Sequence, residues 1–319
     1  MSERRNVLTP EALTMMDVIA RTGSFAAAAR ELGKVPSALT YNVRQLEDTL
    51  DVLLFDRSSR QARLTAAGEE LLREGRRLLQ EIEAVANRVR RVATGWEAEL
   101  TITLDTILAP SAIFELVEAF YAIRVEGAPP PTRLRLRNEV LSGTWESLIE
   151  GQADLAIGGA GATNAGGLVC ELLGAIVMRF AVAPHHPLAN AAEPLTPELI
   201  AQHRIVAIAD SAQRLAPLTV GVLPGQDVLT VPSLAAKLEA QLRGLGCGSL
   251  PEPLLRRHVE AGRLVMKETT LPPRGVDLFY AWHVPSGGEP GRALAWWLQQ
   301  LKSPATRRAL LQQHEGLVL

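Results

Sequence analysis

Four polar side chains at helical spacing could contact nucleic acid. Ser37, Thr40 and Tyr41 carry hydroxyl groups, and Arg44 carries a guanidinium group. The guanidinium can pair with guanine through two hydrogen bonds or contact a phosphate, and the hydroxyls can bond to phosphates or base edges. The four residues therefore suggest a helix that reads a DNA groove. Considered without its surroundings, the same pattern fits an ordinary helical hairpin with a polar outer face equally well.

Two short helices must hold these side chains in place. Ser24 is predicted to cap the first helix, and Gly33 allows a sharp turn. Pro36 sets the first turn of a second helix that ends near Leu50. Apolar residues recur at three- and four-residue spacing along both helices, which predicts a buried face for each. The pattern is that of a helix-turn-helix motif, and the apolar residues are Phe25, Ala28, Ala29, Leu32, Leu39, Val43 and Leu46.

A basic hairpin is predicted directly after these helices. One strand contains Leu53, Leu54 and Phe55, and the return strand covers residues 62–64. Basic residues on such a wing contact phosphates or the minor groove and supply salt-dependent affinity, although a charged hairpin tip taken alone is more often a solvated turn. The predicted DNA-binding residues are Ser24, Lys34, Pro36, Ser37, Thr40, Tyr41, Arg44, Arg57, Arg60 and Arg63.

One long helix is predicted from Thr65 to Thr94, with Gly95 as its stop. Its apolar residues repeat every seven positions, which is typical of a coiled-coil seam. At 1.5 Å per residue, about 30 residues span roughly 45 Å, too long to be buried in a small winged domain. We therefore expect pairing with a second copy and an inverted-repeat operator; the alternative is a helix packed against its own chain. The predicted interface residues are Leu71, Leu78, Ile82, Val85 and Val89.

The segment from Ala12 to about Val92 resembles the DNA-binding domain and linker helix of LysR-type transcriptional regulators. Two positions depart from the family pattern: Val35 stands where a Ser or Thr cap is common, and Asp51 where a glycine often ends the helix. The motifs that carry the resemblance, in family order and spacing, are Gly23-Ser24-Phe25, Ala28-Ala29, Leu32, Ser37-Ala38, Leu46-Glu47, Leu54-Phe55-Asp56-Arg57, Leu64-Thr65 and Ala67-Gly68.

Beyond Trp96 short strands and helices alternate, which indicates layered α/β structure. Strands are predicted over 100–104, 133–137, 154–158, 175–183, 205–209, 228–231, 263–266 and 276–283, with a glycine-rich link over 158–167. The chain passes out to a second subdomain and back, as in periplasmic binding proteins, and the resemblance implies the same architecture for the effector-binding domain. The expected domains are a winged helix-turn-helix over 1–65, a linker helix over 66–95 and an effector-binding domain over 96–319. Its subdomain I covers 96–162 and 276–319, and its subdomain II covers 163–275.

Ligands of open α/β sheets bind beyond the carboxyl ends of the strands, near helix N-termini. Thr144 is the leading candidate, because the family commonly places an effector-contacting Ser or Thr at that loop. Each hydroxyl can instead be a plain helix cap. Asp105 disfavours a simple anionic effector unless Arg179 or another cation balances it, which leaves room for a neutral or aromatic ligand. The candidate effector-binding residues are Asp105, Thr106, Ser111, Ser142, Thr144, Gly158, Asp210 and Ser233.

Enzymatic and metal-binding interpretations find little support. Adjacent His185 and His186 chelate one ion poorly, and Ser233 with Lys237 lacks the three-residue spacing of a Ser-x-x-Lys nucleophile. The glycine-rich segment 158–167 lacks the Lys-Ser/Thr end of a phosphate loop. We therefore expect no enzyme activity, no cofactor and no metal. Cys170 and Cys247 imply no disulfide framework; a redox-sensing pair is the alternative to buried reduced thiols.

The net charge and the length of the chain limit the classes of partner that it can bind. The chain has 319 residues and a net charge of −2, with 15 Lys and Arg against 13 Asp and Glu in residues 1–95. DNA affinity must therefore come from local placement of arginines and not from a basic domain. We expect a cytoplasmic protein without membrane contact that binds double-stranded DNA, a small-molecule effector and further copies of itself as a homodimer and homotetramer. RNA polymerase stays open as a partner. The alternatives are a constitutive regulator with a degenerate effector domain, or a solute-binding protein, which would need a secretion signal.

Overall fold

The computed structural model describes residues 7–56, 62–159, 167–272, 274–284 and 289–312. The chain forms two compact units, Met1–Val89 and Arg90–Leu319. Within the described ranges, no helix is both long and apolar enough to cross a membrane.

The N-terminal unit contains helices α1 (Pro10–Thr22), α2 (Phe25–Glu31) and α3 (Pro36–Leu50), followed by short strands β1 (Phe55–Asp56) and β2 (Arg63–Leu64). The predicted start of α2 is confirmed, because Ser24 Oγ accepts a hydrogen bond from the N–H of Ala27. The predicted turn is confirmed as well: Gly33 has φ of 63°, in the left-handed region that glycine adopts without strain. Helix α1 completes the bundle and buries Met15, Met16 and Ile19 in the common core.

The two strands pair antiparallel, with Phe55 opposite Leu64 and Asp56 opposite Arg63. The predicted hairpin is therefore present, and its tip, which includes Arg57 and Arg60, lies outside the described residues. Helix α4 (Ala66–Thr94) follows. Thr65 Oγ1 accepts from the N–H of Gly68, and Gly95 has φ of 75°, so both predicted ends of this helix are confirmed.

The C-terminal unit is built on one mixed, seven-stranded sheet. Its strands are β3 (Glu99–Asp105), β4 (Arg133–Glu139), β5 (Leu155–Gly159), β6 (Leu168–Val182), β9 (Gly248–Pro251), β10 (Val265–Lys267) and β11 (Arg274–His283), and the path across it runs β10-β6-β11-β5-β3-β4 with β9 beside β6. β3 pairs parallel with β4 and β5, whereas β11 pairs antiparallel with β5 and β6. A separate parallel pair is formed by β7 (Ile205–Ile208) and β8 (Val228–Val231).

Strand β6 joins the two halves of this unit. Its first part pairs with β11, and its end pairs with β9 and β10. The sequence had predicted only residues 175–183 as a strand of the second subdomain. The observed strand begins at Leu168, because residues 168–178 pair with the full length of β11 and this pairing satisfies backbone groups of both strands.

Helices cover the sheet. They are α5 (Pro110–Ala122), α6 (Ser142–Ile149), α7 (Pro197–Ala201), α8 (Leu234–Leu242), α9 (Glu252–Glu260), α10 (Arg292–Lys302) and α11 (Pro304–Gln312). The largest core lies under α5 and α10 and centres on Trp297, Tyr280 and Phe120. Smaller cores lie around α8 and α9 and around Phe180. The sequence had not assigned β9, α7 or α9.

Candidate functional site

The outer face of α3 carries the four side chains singled out for DNA contact. Ser37, Tyr41 and Arg44 are exposed, whereas Leu39, Val43 and Leu46 on the opposite face are buried. Thr40 is half-buried, and its hydroxyl donates to Pro36 O at 3.0 Å. Among the described residues, Arg44 has no ion pair or hydrogen bond. The helix therefore presents a hydroxyl-rich surface with one cation ready for an external partner.

The two departures from the family pattern have clear local outcomes. Val35 occupies the cap position of α3, where its side chain is exposed and forms no cap hydrogen bond. Pro36 lacks an N–H in any case, which reduces the number of groups that need a cap. Asp51 ends the helix in the left-handed conformation, with φ of 57° and ψ of 38°. Asp reaches this region more easily than most residues, so the helix ends where a glycine would have ended it.

The wing is attached to α3 by a buried carboxylate that the sequence analysis did not assign. Glu47 Oε1 accepts the N–H groups of Leu54 at 2.8 Å and Phe55 at 3.3 Å. The Phe25 and Phe55 rings also meet edge-on at 5.2 Å. A glutamate that recurs with the apolar residues of an otherwise amphipathic helix is the signal that could have indicated this role.

Helix α4 changes character along its length. Its first turns pack against their own unit: Leu71 is half-buried against the core, and Arg76 pairs with Asp17 at 2.6 Å. Further along, apolar residues are between 49% and 86% exposed and keep the seven-residue spacing; they are Leu78, Ile82, Val85, Val89 and Val92. Leu71 thus differs from the other four predicted interface residues.

A cavity of about 600 Å³ lies in the C-terminal unit. Its apolar lining includes Ile107, Met178, Phe180, Ile208, Leu234 and Met266, and its charged lining includes Asp105, Arg179, Lys237, Glu252 and Lys267. Burial raises the pKa of the Asp105 carboxyl to about 6, against the opposite effect of three backbone N–H groups. Asp105 Oδ1 accepts from Ile107 at 2.9 Å, and Oδ2 accepts from Leu141 at 3.2 Å.

Of the eight predicted effector-binding residues, Asp105 and Thr106 line this cavity. The other six do not; they are Ser111, Ser142, Thr144, Gly158, Asp210 and Ser233. Ser233 caps α8 through the N–H of Ala236, as the plain-cap alternative had it. Thr144 is fully buried, and a side chain on Gly158 would place its Cβ 2.9 Å from Thr144 Cγ2. The structure therefore places Thr144 behind Gly158 with its hydroxyl unpaired among the described residues, and its contact with an effector stays a prediction.

The N-terminus of α6, expected to receive a ligand, is occupied by a carboxylate of the chain itself. Asp210 accepts the N–H groups of Ser142 and Gly143, each at 3.2 Å. It also accepts those of Ala212 at 2.9 Å and Leu218 at 2.7 Å. Burial alone would raise the pKa of Asp210, but these hydrogen bonds outweigh it and the pKa lies below its usual value.

Two further sets of contacts fix the same loop to α6 and to the end of β4. Glu146 accepts the N–H groups of three successive residues, 213–215, at 2.7–3.1 Å. Ser211 Oγ accepts from the N–H of Val140 at 2.9 Å and donates to Glu139 at 2.7 Å. Gly143 is required here, because a Cβ at this position would collide with Ser211 Oγ. The loop over residues 210–218 therefore satisfies the helix end internally.

The cysteines and the histidines of the described ranges form neither a disulfide nor a metal-binding group. Both cysteines are free thiols, and burial raises the pKa of Cys247 to about 11, which disfavours the reactive thiolate. His185 and His186 lie in a loop, with His186 beside His203 at 5.2 Å between ring centroids. In the part of the chain that the structure describes, no three His, Cys, Asp or Glu side chains are grouped so as to hold a metal ion.

These features together define a class of protein, the ligand-responsive DNA-binding proteins. The features are a helix-turn-helix with an exposed polar helix, a wing, a long helix and a two-part α/β unit with an internal cavity. Comparison with known proteins gives the family. The model described as "Bacterial regulatory helix-turn-helix protein, lysR family" matches residues 10–69, and "LysR substrate binding domain" matches residues 93–305.

Relatives of similar length agree with this assignment. The uncharacterized HTH-type transcriptional regulator YeeY of Escherichia coli (strain K12) is 35% identical over 292 residues, covering 91% of this chain and 92% of the relative. The probable HTH-type transcriptional regulator YhaJ of the same strain is 37% identical over 301 residues, covering 93% and 97%. The solved structure of CbnR, a LysR family transcriptional regulator, superposes with a TM-score of 0.61 at 18% identity and covers 92% of this chain and 98% of CbnR. The chain belongs to the LysR family of transcriptional regulators.

Proposed function

We propose that this LysR-type regulator reads an inverted-repeat operator with α3 in the major groove. The observation that carries the proposal is the division of α3 into a buried apolar face and an exposed face that bears Ser37, Tyr41 and Arg44. Arg44 would contact a guanine edge, and the exposed Arg63 of the wing would contact phosphate. Acting on DNA as a regulator, the protein would work in the cytoplasm and would need no enzymatic step.

Operator selection from random duplex DNA by the full-length protein tests this reading. Arg44→Ala is expected to weaken binding to the selected operator about tenfold or more and binding to random DNA much less, because a bidentate base contact is lost. Arg63→Ala is the matched control, since losing a phosphate contact weakens both and lowers the salt dependence. Equal losses on operator and random DNA for Arg44→Ala would contradict a base-reading role.

The proposed second copy binds along α4. The exposed stripe continues the heptad positions over residues 78–92, which suits a two-stranded coiled coil and places two α3 helices on two half-sites. Val85→Glu should convert the dimer to monomer in light scattering and abolish operator binding. Arg77→Glu, on the exposed opposite face of the same helix, should leave the dimer intact. A dimer that survives Val85→Glu would exclude this seam, and a mass of four chains for the wild type would support the homotetramer.

The proposed effector binds in the 600 Å³ cavity and shifts the DNA-bound geometry by favouring one arrangement of the unit over another. A small-molecule screen with the full-length protein, followed by footprinting on the operator, tests it. Ile208→Phe fills the cavity and should abolish both binding of a hit and its effect on the footprint. Val228→Phe, exposed and outside the cavity lining, should not. A hit whose effect persists in Ile208→Phe binds elsewhere, and the absence of any hit would favour the constitutive alternative.

A further inference from the structure

Lys237 is a buried cation that faces the cavity. It lies on α8 between Leu234 and Leu238, lines the cavity and is only 8% exposed. Among the described residues its ammonium has neither a carboxylate within ion-pair distance nor a hydrogen-bond acceptor. Burial lowers the pKa of Lys237 to about 8, so that the side chain is still mostly charged at neutral pH. A charge held in this way is costly unless a partner compensates it.

The other cations around the cavity are already compensated. Arg179 pairs with Glu252 at 3.0 Å, and half of its side chain is exposed. Lys267 pairs with Glu193 at 2.7 Å and donates to the carbonyls of Ala189 and Ala191. Neither is available to a ligand without breaking an existing ion pair. Lys237 is the lining cation left for an external negative charge in the described chain.

A second unsatisfied group stands one helical turn from Lys237. Gln241 is fully buried, and both its Oε1 and its Nε2 lack a partner in the described structure. The backbone of Gly248 comes close to both side chains: a Cβ there would lie 2.9 Å from Gln241 Nε2 and 3.4 Å from Lys237 Nζ. Gly248 has φ of 150°, and this conformation excludes a side chain at the same point. The ammonium of Lys237, which lines the cavity, and the unpaired amide of Gln241, which lies behind the lining, thus both approach the backbone of Gly248.

We propose that Lys237 forms an anion subsite of the cavity and binds the carboxylate of a small, otherwise apolar effector, with the Gln241 amide as the polar group behind it. The inference rests on the proposed function of the cavity and names the ligand class. Apolar side chains such as Met178, Phe180 and Met266 would surround the remainder of the ligand. A single carboxylate balances the single free ammonium, whereas the buried Asp105 carboxyl in the same cavity disfavours a second negative charge.

Titration calorimetry on the full-length protein tests the proposal with three kinds of probe. The monocarboxylates are hexanoate and phenylacetate, their neutral matches are hexanamide and phenylacetamide, and adipate is the dicarboxylate. The monocarboxylates should bind wild type at least tenfold more tightly than the amides and adipate. Lys237→Met should lose that preference, with affinity for the monocarboxylates falling tenfold or more. Arg243→Met is the control, since it removes one positive charge from the exposed residue directly after the same helix and should change affinity less than twofold.

The outcomes separate this inference from the proposed function. If amides bind as tightly as acids, or if Lys237→Met binds acids like wild type, the anion subsite is overturned, yet the cavity remains a ligand site. If adipate binds more tightly than hexanoate, the limit of one charge is wrong. If none of the probes binds wild type, the apolar monocarboxylate class is overturned, and the library screen with Ile208→Phe decides separately whether the cavity receives an effector. Met is accommodated at position 237, because it fills similar space without a buried charge, so a loss of binding would not reflect unfolding.

Discussion

The backbone N–H groups at the N-terminus of α6 and the polar side chains on the buried side of α8 belong to the same unit, but only the first have hydrogen-bond acceptors in the described structure. At α6, Asp210 supplies an acceptor for four N–H groups, and Glu146 ties down the following residues. At α8, Lys237 and Gln241 are buried without partners among the described residues. The chain itself supplies the acceptors at the N-terminus of α6, and we call this contact between α6 and residues 210–218 the α6 joint. Unpaired buried groups beside a cavity are instead free to bind a ligand.

This contrast changes which polar residues are expected to matter for binding. Ser142 and Asp210 each follow a predicted strand, where ligands of open α/β sheets bind, but in the structure they bind each other. Lys237 lies in the apolar face of a helix, where a lysine costs stability unless it has a use. Whether a polar group already has a hydrogen-bond or ion-pair partner therefore distinguishes the two regions better than its residue type does.

The largest expected effect comes from breaking the α6 joint. Asp210→Ala should lower the free energy of unfolding of the C-terminal unit by about 3 kcal/mol, because four N–H groups lose a charged acceptor. Urea unfolding followed by tryptophan fluorescence measures it, since all five tryptophans of the chain lie beyond residue 95.

Asp227→Ala is the matched control for that substitution. Asp227 is exposed and pairs with Arg204 at 2.8 Å on the surface, so its loss should cost less than about 1 kcal/mol. Similar losses for the two variants would mean that the loop over residues 210–218 is not a joint.

The DNA-binding unit was predictable from the sequence because its determinants are local. Ser24, Gly33 and Pro36 each act within one turn of the chain, and the apolar spacing of two helices sets their buried faces. Strand β6 was only half predicted, because its extent depends on pairing with β11, more than ninety residues further along.

The candidate ligand site was harder to predict, because it depends on contacts between distant segments. No residue near Ser142 in the sequence predicts that Asp210, 68 residues away, will accept a hydrogen bond from its N–H. Thr144 is predicted from its type and place; the packing of Gly158 encloses it, its hydroxyl has no partner in the described structure, and its role stays a prediction. Lys237 was considered only as a partner of Ser233 in catalysis. Its position in the apolar stripe of α8 was the available signal, and the unpaired state of Gln241 appears only in three dimensions.

The second effect, smaller than that of Asp210, tests the charge state of the carboxyl that faces the cavity. The folded protein holds a proton on Asp105 up to about pH 6, whereas the unfolded chain releases it near pH 4. Between these values the folded state binds more protons, so the free energy of unfolding must fall as the pH rises. Compared with Asp105→Asn, wild type should lose roughly 2 kcal/mol between pH 4 and pH 7.

Chemical unfolding of wild type and Asp105→Asn at several pH values measures this difference. The other titrating groups are common to both proteins and cancel when one curve is subtracted from the other. A difference that stays flat over pH 4–7 would show that burial does not raise the pKa of Asp105, and one that rises with pH would show that its hydrogen bonds lower that pKa.

The smallest effect compares two buried glutamines and has opposite signs in the two. Gln226 donates to the carbonyls of Ile200 and His203 and accepts from Leu223, whereas Gln241 has no partner in the described structure. Methionine has nearly the same shape as glutamine without the polar amide. Gln226→Met should therefore lower the free energy of unfolding by about 2 kcal/mol, and Gln241→Met should raise it by about 1 kcal/mol, because an unpaired buried amide costs stability. Urea unfolding of the two variants beside wild type measures both changes. A destabilised Gln241→Met would mean that bound water or another group already satisfies this amide. The buried side of α8 would then resemble the α6 joint.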